Sequence, residues 1–254
     1  MNKKKILAIL IIFLCILSSS IIIQDLNIFN TDGFGNNIFD KKVNINNTNQ
    51  SYYDSVLGSN NYGFVQLLGP FGNTSSDIKI AYIIGVHPAE HKIHSLFFES
   101  LLNSSSSLKY SYYIYKINIA DGENASYGNG RSNGQYLARD FIVPDIKSKA
   151  NEYKLVVDIH SNHGRNGGTY DETNFIFAPL NDSKSKAIAE ILISKIPPLV
   201  YYYPSSQTSP NFVTIPIQKA GIPAIIYETY IYESEDTTLN YINKLIPSVD
   251  TLSF

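Results

Sequence analysis

The sequence predicts an α/β domain built on a mostly parallel sheet. Three apolar runs rich in β-branched residues, 78–86, 154–159 and 223–229, read as strands buried on both faces. Between and after them lie segments with helical periodicity, 88–102, 183–196 and 235–245. Strands that alternate with helical patterns are what a parallel sheet joined by crossover helices requires.

In chain order, the N-terminus reads as targeting rather than fold. Lys3-Lys4-Lys5 precedes an apolar run from Ile6 to Leu17, then three serines and Ile21-Ile22-Ile23. A basic region followed by an apolar stretch is the pattern of a secretory signal. Counted through the serines, the run reaches about 18 residues, the length of an uncleaved membrane anchor. Residues 1–23 are therefore expected to be a signal peptide or anchor, which places the protein outside the cell or at its surface. Residues 24–60, rich in Asn, Asp, Gly and Ser, are expected to form a flexible tether, and 61–254 the catalytic domain. Asn46, Asn49, Asn73, Asn103, Asn124 and Asn181 each begin an Asn-x-Ser/Thr triplet, an acceptor for glycosylation in an exported chain.

Further elements fill the domain. Residues 109–120 read as a strand, and the Gly- and Asn-rich stretch 121–133 as a loop long enough to be functional. Short strands are predicted at 174–178 and 199–203, and a short helix at 212–220 that stops at Gly221.

Composition excludes several classes of function. The 254 residues carry a net charge of −2 with no basic block, so nucleic acid is not expected as a partner. The single cysteine, Cys15, falls in the N-terminal apolar run, which leaves the domain without disulfides, thiol nucleophiles or thiolate ligands. Any metal must be held by His and carboxylate.

The five histidines form two clusters, His87, His91 and His94 after one strand, His160 and His163 after another. The first reads Gly85-Val86-His87-Pro88-Ala89-Glu90-His91, so a strand ends at a glycine and delivers a His and a Glu three residues apart. The second reads Asp158-Ile159-His160-Ser161-Asn162-His163. Side by side, the two strand ends would bring His87, Glu90 and His160 around one metal, with a position left for water. Asp158, two residues before His160 and on the same face, is the candidate to orient its ring. A third strand end carries Glu228 after four apolar residues, a candidate general base and acid. For any single one of these residues, an ordinary polar side chain at a strand end is the competing explanation.

Together these residues resemble the zinc carboxypeptidases of the carboxypeptidase A type and their succinylglutamate desuccinylase and aspartoacylase relatives. The family pattern is His-x-x-Glu after one strand, a later His after another, a Glu near the C-terminus, and a loop Arg-x-Asn-x-x-Gly-x-x-x-Asn-Arg-x-Phe. The loop corresponds here to Arg131-Ser132-Asn133-Gly134-Gln135-Tyr136-Leu137-Ala138-Arg139-Asp140-Phe141. The resemblance implies a three-layer fold with a mixed sheet and helices on both faces. It implies Zn2+ held by His87, Glu90 and His160, with Glu228 as catalytic base. Arg131 would polarise the scissile carbonyl and Arg139 bind a terminal carboxylate, with Asn133 and His163 as further substrate contacts. The chain departs from the pattern at Ala138, where the family has Asn, and at Ala89, often Arg in digestive enzymes. The tyrosine that covers substrate in the family has four candidates, Tyr201, Tyr202, Tyr203 and Tyr230.

The expected function is an exported zinc-dependent hydrolase of an amide or peptide bond near a free carboxylate, in cell-wall or other unusual peptides. Its partner is a peptide or acyl-amino acid, with the membrane added if the N-terminal segment is uncleaved. Three rivals are an N-acyl amino acid deacylase of the same fold, an inactive surface binding module, and an inverzincin using His87-Pro88-Ala89-Glu90-His91. The last needs an uninterrupted helix through Pro88, which proline disfavours beyond the first turn.

Overall fold

The computed structural model describes residues 41–44, 51–120, 127–165, 167–168, 170–205 and 207–254. The expected signal or anchor at 1–23 lies outside them, as do Asn46, Asn49 and Asn124. No helix among the described residues is long and apolar enough to cross a membrane.

The described strands are β1 Lys41–Asn44, β2 Ser51–Asn60, β3 Gly63–Gly72, β4 Lys79–Ile84, β5 Ser111–Ile119, β6 Tyr153–Asn162, β7 Phe175–Phe177, β8 Val200–Tyr201 and β9 Ala224–Tyr230. They form one mixed sheet in the order β1-β2-β3-β5-β4-β6-β9-β7-β8. The four central strands, β5-β4-β6-β9, are parallel throughout. Antiparallel pairing is confined to the flanks, where β1, β2 and β3 build outward from β5 and β7 runs against β9.

The helices are α1 His91–Ser104, α2 Tyr127–Leu137, α3 Val143–Ser148, α4 Ser183–Lys195, α5 Ser209–Phe212, α6 Thr214–Lys219 and α7 Glu235–Asp250, with a π-turn over Ala138–Ile142 between α2 and α3. They cover both faces of the sheet. On one face Ile93 and Phe97 of α1, Leu192 of α4 and Leu245 of α7 pack on Ile80, Tyr82, Val157 and Tyr227. On the other, Leu137, Ile146 of α3 and Ile217 of α6 pack on Ala81, Ile83, Val156 and Ala224. Alternate residues of β4 thus enter opposite cores, which is why its sequence is apolar without interruption. Each fully buried Ile or Leu contributes about 1.5–3 kcal/mol to this sandwich. Asp182 and Ser234 cap α4 and α7, each side chain accepting from the backbone N–H three residues on.

Two expectations are corrected, and one strand was not expected. The tether assigned to 24–60 includes two strands, β1 and β2. β2 forms a hairpin with β3 and is only partly covered, so it tolerates a polar composition that resembles a linker. β3 itself was not anticipated; Gly63, Gly69 and Gly72, all at positive φ, obscure its strand pattern. Residues 127–133, expected within a loop, are the start of α2. Their Gly and Asn content disfavours helix locally, but Gly134 lets α2 lie so close to the segment that follows β4 that an added Cβ would stand 1.9 Å from the Val86 carbonyl oxygen. Tertiary contact overrides propensity there.

Candidate metal centre

The site forms where the central parallel strands end at their carboxyl edge, the usual position in open α/β sheets. β4 stops at Ile84, and Gly85 at φ 87 turns the chain in a left-handed conformation. Any side chain there would collide with the Ile117 carbonyl, 2.4 Å from an added Cβ. The next element is a 3-10 turn over Pro88–Glu90, in which the Glu90 N–H donates to the His87 carbonyl at 3.1 Å. That turn folds Glu90 back beside His87.

His87, Glu90 and His160 are all buried, and each offers a ligand atom within 4.8 Å of the others. His87 Nδ1 lies 2.8 Å from Glu90 Oε1, and His160 Nδ1 lies 3.0 Å from Glu90 Oε2. The Ser161 N–H also donates to Glu90 Oε2, at 3.0 Å. Both rings therefore turn the same nitrogen toward one carboxylate. Burial opposes ionisation of Glu90, but the two imidazoles outweigh it and hold the carboxyl well below its usual range. Burial also opposes charge on His160, yet Asp158 and Glu90 raise it well above the ordinary imidazole value. His87 is pushed down, mainly by burial.

Asp158 is fully buried on the face of β6 that carries His160. Its Oδ1 stands 3.1 Å from His160 Nε2, off the hydrogen-bond axis, and both carboxylate oxygens and Nε2 lack a hydrogen-bond partner. Two imidazoles and a carboxylate converging in a buried pocket, with a second carboxylate behind one ring, are the donor set of a His2Glu zinc site. The residues fit a divalent cation.

A cavity of about 250 Å³ is lined by His87 and Glu90, with His160 buried against Glu90. Glu228 lines it from the end of β9, where it is the register partner of His160. Burial, reinforced by Glu90, raises the Glu228 carboxyl from 4.5 to about 8. Asn162 Nδ2 donates to Glu228 Oε2 at 3.2 Å, while its Oδ1 accepts from the Gly164 N–H at 2.9 Å. Arg131, on α2, lines the same cavity and is the only Arg or Lys among the described lining residues. Its Nη1 stands 3.4 Å from His87 Nδ1, and Nη2 donates to Thr208 Oγ1 at 3.3 Å. His163 also lines the cavity, with Nδ1 2.8 Å from the Tyr232 hydroxyl.

Two sequence-derived candidates lie elsewhere. Arg139 sits in the π-turn, exposed, with its guanidinium on Asp140 at 2.7 and 3.1 Å and over the Tyr136 ring. Neither it nor Asn133 lines the cavity. The continuation of α2 into the π-turn carries Arg139 away from the strand ends. None of Tyr201, Tyr202, Tyr203 and Tyr230 lines the cavity; Tyr170 does. Its hydroxyl is raised by burial and by the charge of Glu228. The inverzincin arrangement does not form, because His91 is exposed and the helical turn at Glu90 is 3-10 before α1 begins. His94, which the sequence offered only as a helix position, is buried with Nε2 3.0 Å from the Ile159 carbonyl, and burial lowers it to about 4.

Gln135, Asn162, Thr208 and Tyr170 were not singled out from sequence. Gln135 is four residues from Arg131, a spacing that puts both on one helix face, but the stretch read as loop. Asn162 directly follows His160-Ser161 at a strand end. Thr208 and Tyr170 carry no sequence signal.

No family model matches the chain, and no curated protein matches it. Solved structures match in fold. A provisionally named carboxypeptidase A from Shewanella denitrificans OS-217 superposes with a TM-score of 0.53 at 13% identity, over 78% of this chain and 64% of that one. A provisionally named carboxypeptidase from Burkholderia mallei ATCC 23344 gives 0.51 at 11% identity, over 78% and 62%. The succinylglutamate desuccinylase from Chromobacterium violaceum gives 0.50 at 11% identity, over 83% and 71%. The chain spans just under two thirds of the first two. It has the carboxypeptidase-like α/β fold that these structures share.

Proposed function

We propose that this chain is an exported, zinc-dependent hydrolase of an amide bond next to a free carboxylate. The observation that supports it most directly is the convergence of His87, Glu90 and His160 on one point, with His87 and Glu90 lining a cavity that Glu228 and Arg131 also line. Zinc at the three ligands would supply a Lewis acid that polarises the scissile carbonyl and acidifies water.

The chain's own residues supply the rest. Glu228 takes the proton of the attacking water and returns it to the leaving nitrogen. A group with a value near 8 is a weak acid at neutral pH, and positive charge nearby moves it back toward the ionised form it needs as a base. Asn162 fixes the orientation of that carboxylate. The Arg131 guanidinium faces the cavity as a permanent cation and stabilises negative charge developing on the carbonyl oxygen. With Arg139 outside, Arg131 is also the residue available to a substrate carboxylate. Export rests on the Lys3-Lys4-Lys5 and apolar N-terminal pattern, and points to cell-wall or other extracellular peptides.

N-acyl amino acid deacylation is the second reading, favoured by the size of the cavity. About 250 Å³ is below the roughly 300–1,000 Å³ of sites for larger ligands and suits the two groups flanking one amide. The test is zinc content of wild type and His160→Ala, followed by release of terminal amino acids from peptides and from N-acyl amino acids. About one zinc per chain, lost in the variant, with turnover that Glu228→Gln lowers about 10²–10⁴-fold, is the expected result. Absence of zinc in the wild type after zinc is supplied would overturn the reading.

A further inference from the structure

The face that α2 turns toward His87 carries a buried side chain with no role so far. Gln135 is 5% exposed, and its Nε2 lies 3.3 Å from His87 Nε2 and 3.3 Å from Thr208 Oγ1. His87 Nδ1 faces Glu90 Oε1. A proton on Nδ1 therefore serves the carboxylate and leaves Nε2 to accept from the Gln135 amide. Coordination through Nδ1 requires the other tautomer, with the proton on Nε2 and an acceptor to receive it. Ligating histidines regularly donate that second N–H to a carboxylate, carbonyl or water. For His160, Asp158 stands at that position. For His87 the side chain in place is Gln135.

An amide is suited to both tautomers. Its NH2 and C=O exchange places on a half-turn of the last side-chain torsion, and crystallographic practice treats the two orientations as alternatives set by the hydrogen-bond network. The Thr208 hydroxyl both donates and accepts, so it tolerates either orientation. Arg131 Nη2 donates to that same hydroxyl at 3.3 Å.

We propose that Gln135 is the positioning residue of His87, presenting Nε2 to the metal-free ring and Oε1 to the metal-loaded one. The proposal rests on the metal reading above and assigns a role that Asp158 cannot fill, because Asp158 faces the other histidine.

The test is zinc affinity, measured by competition with a chelator, for wild type, Gln135→Met and Gln135→Glu. Met keeps the length of the side chain and removes the acceptor; Glu keeps the acceptor and removes the donor. Expected are a loss of about 10–100-fold in affinity for Gln135→Met and affinity at or above wild type for Gln135→Glu. The metal-free melting temperature of each variant reports on packing separately. Equal affinity of wild type and Gln135→Met overturns the inference alone, as does Gln135→Glu binding as weakly as Gln135→Met. A wild type that binds no zinc overturns the metal reading and this inference with it. Should Gln135→Met fail to fold, Gln135→Glu decides, since weakened binding there overturns the acceptor role.

Discussion

His160 and Glu228 are register partners on the parallel strands β6 and β9, so the two side chains leave the sheet at the same height and toward the same face. One pairing therefore sets the distance between a metal ligand and the carboxylate that would do proton transfer. Ser161 with Thr229 and Asn162 with Tyr230 continue the same register, which brings the Asn162 amide within 3.2 Å of Glu228. A shift of one residue would turn Glu228 away from the cavity into the opposite core.

Glu228→Gln keeps the shape and burial of the side chain and removes its basicity. Turnover is expected to fall about 10²–10⁴-fold with zinc affinity unchanged. Steady-state kinetics beside metal titration checks this, and retained activity would remove Glu228 from the chemistry.

The raised value of Glu228 links it to stability. The carboxyl titrates at about 8 in the folded protein against 4.5 in its absence from the fold, so folding favours the protonated form. Its contribution is complete below 4.5 and lost as pH rises through 8. Glu228 by itself lowers the melting temperature of metal-free protein from about pH 5 to about pH 9, whereas His87 and His94, lowered by burial, destabilise the fold near pH 5. The expected result is therefore that wild type loses more stability over that range than Glu228→Gln. His160 is also raised, by Asp158 and Glu90 against the effect of burial, and its share keeps the same sign in the variant. A pH dependence identical in wild type and variant would contradict the placement of Glu228.

Arg131 and Arg139 are separable by kinetics. Arg131 lines the cavity, whereas Arg139 is exposed and held on Asp140. Arg131→Ala is expected to lower kcat/KM by about 10²–10³-fold, the usual effect of losing an oxyanion donor. Arg139→Ala is expected to leave it near wild type. A large loss in Arg139→Ala would mean that the π-turn rearranges when substrate binds.

Gly134 controls how closely α2 approaches the ligand-bearing segment. Gly134→Ala would place a methyl 1.9 Å from the Val86 oxygen, and relief requires α2 to move. A loss of about 1–3 kcal/mol in stability, with weaker zinc binding, is expected from such overpacking. Gly128→Ala, in the same helix with nothing within 4 Å, is the control and should be neutral or stabilising. Thermal melts of both variants decide the matter.

Zinc removal offers a further check. A ligand that binds only the folded state stabilises by about 4 kcal/mol at a thousandfold excess over its dissociation constant. Chelation is expected to lower the melting temperature of the wild type, and to leave His160→Ala where it was.

The central strands and the residues at their ends were legible from local pattern. Buried parallel strands need uninterrupted apolar runs, and a polar residue directly after such a run stands out, as His87, His160 and Glu228 do. Helices with their own periodicity and caps, such as α4 and α7, were legible for the same local reason. Elements that depend on a partner emerged only with the fold. β2 takes its stability from pairing with β3 rather than from an apolar pattern, and α2 forms from a Gly- and Asn-rich stretch because it packs on β5 and on the segment that follows β4. The same packing brings Arg131 and Gln135 to His87 while carrying Arg139 outside. Spacing along the chain records local periodicity, but which side of an irregular helix meets the cavity is set by contacts between segments far apart in sequence, and these appear only on folding.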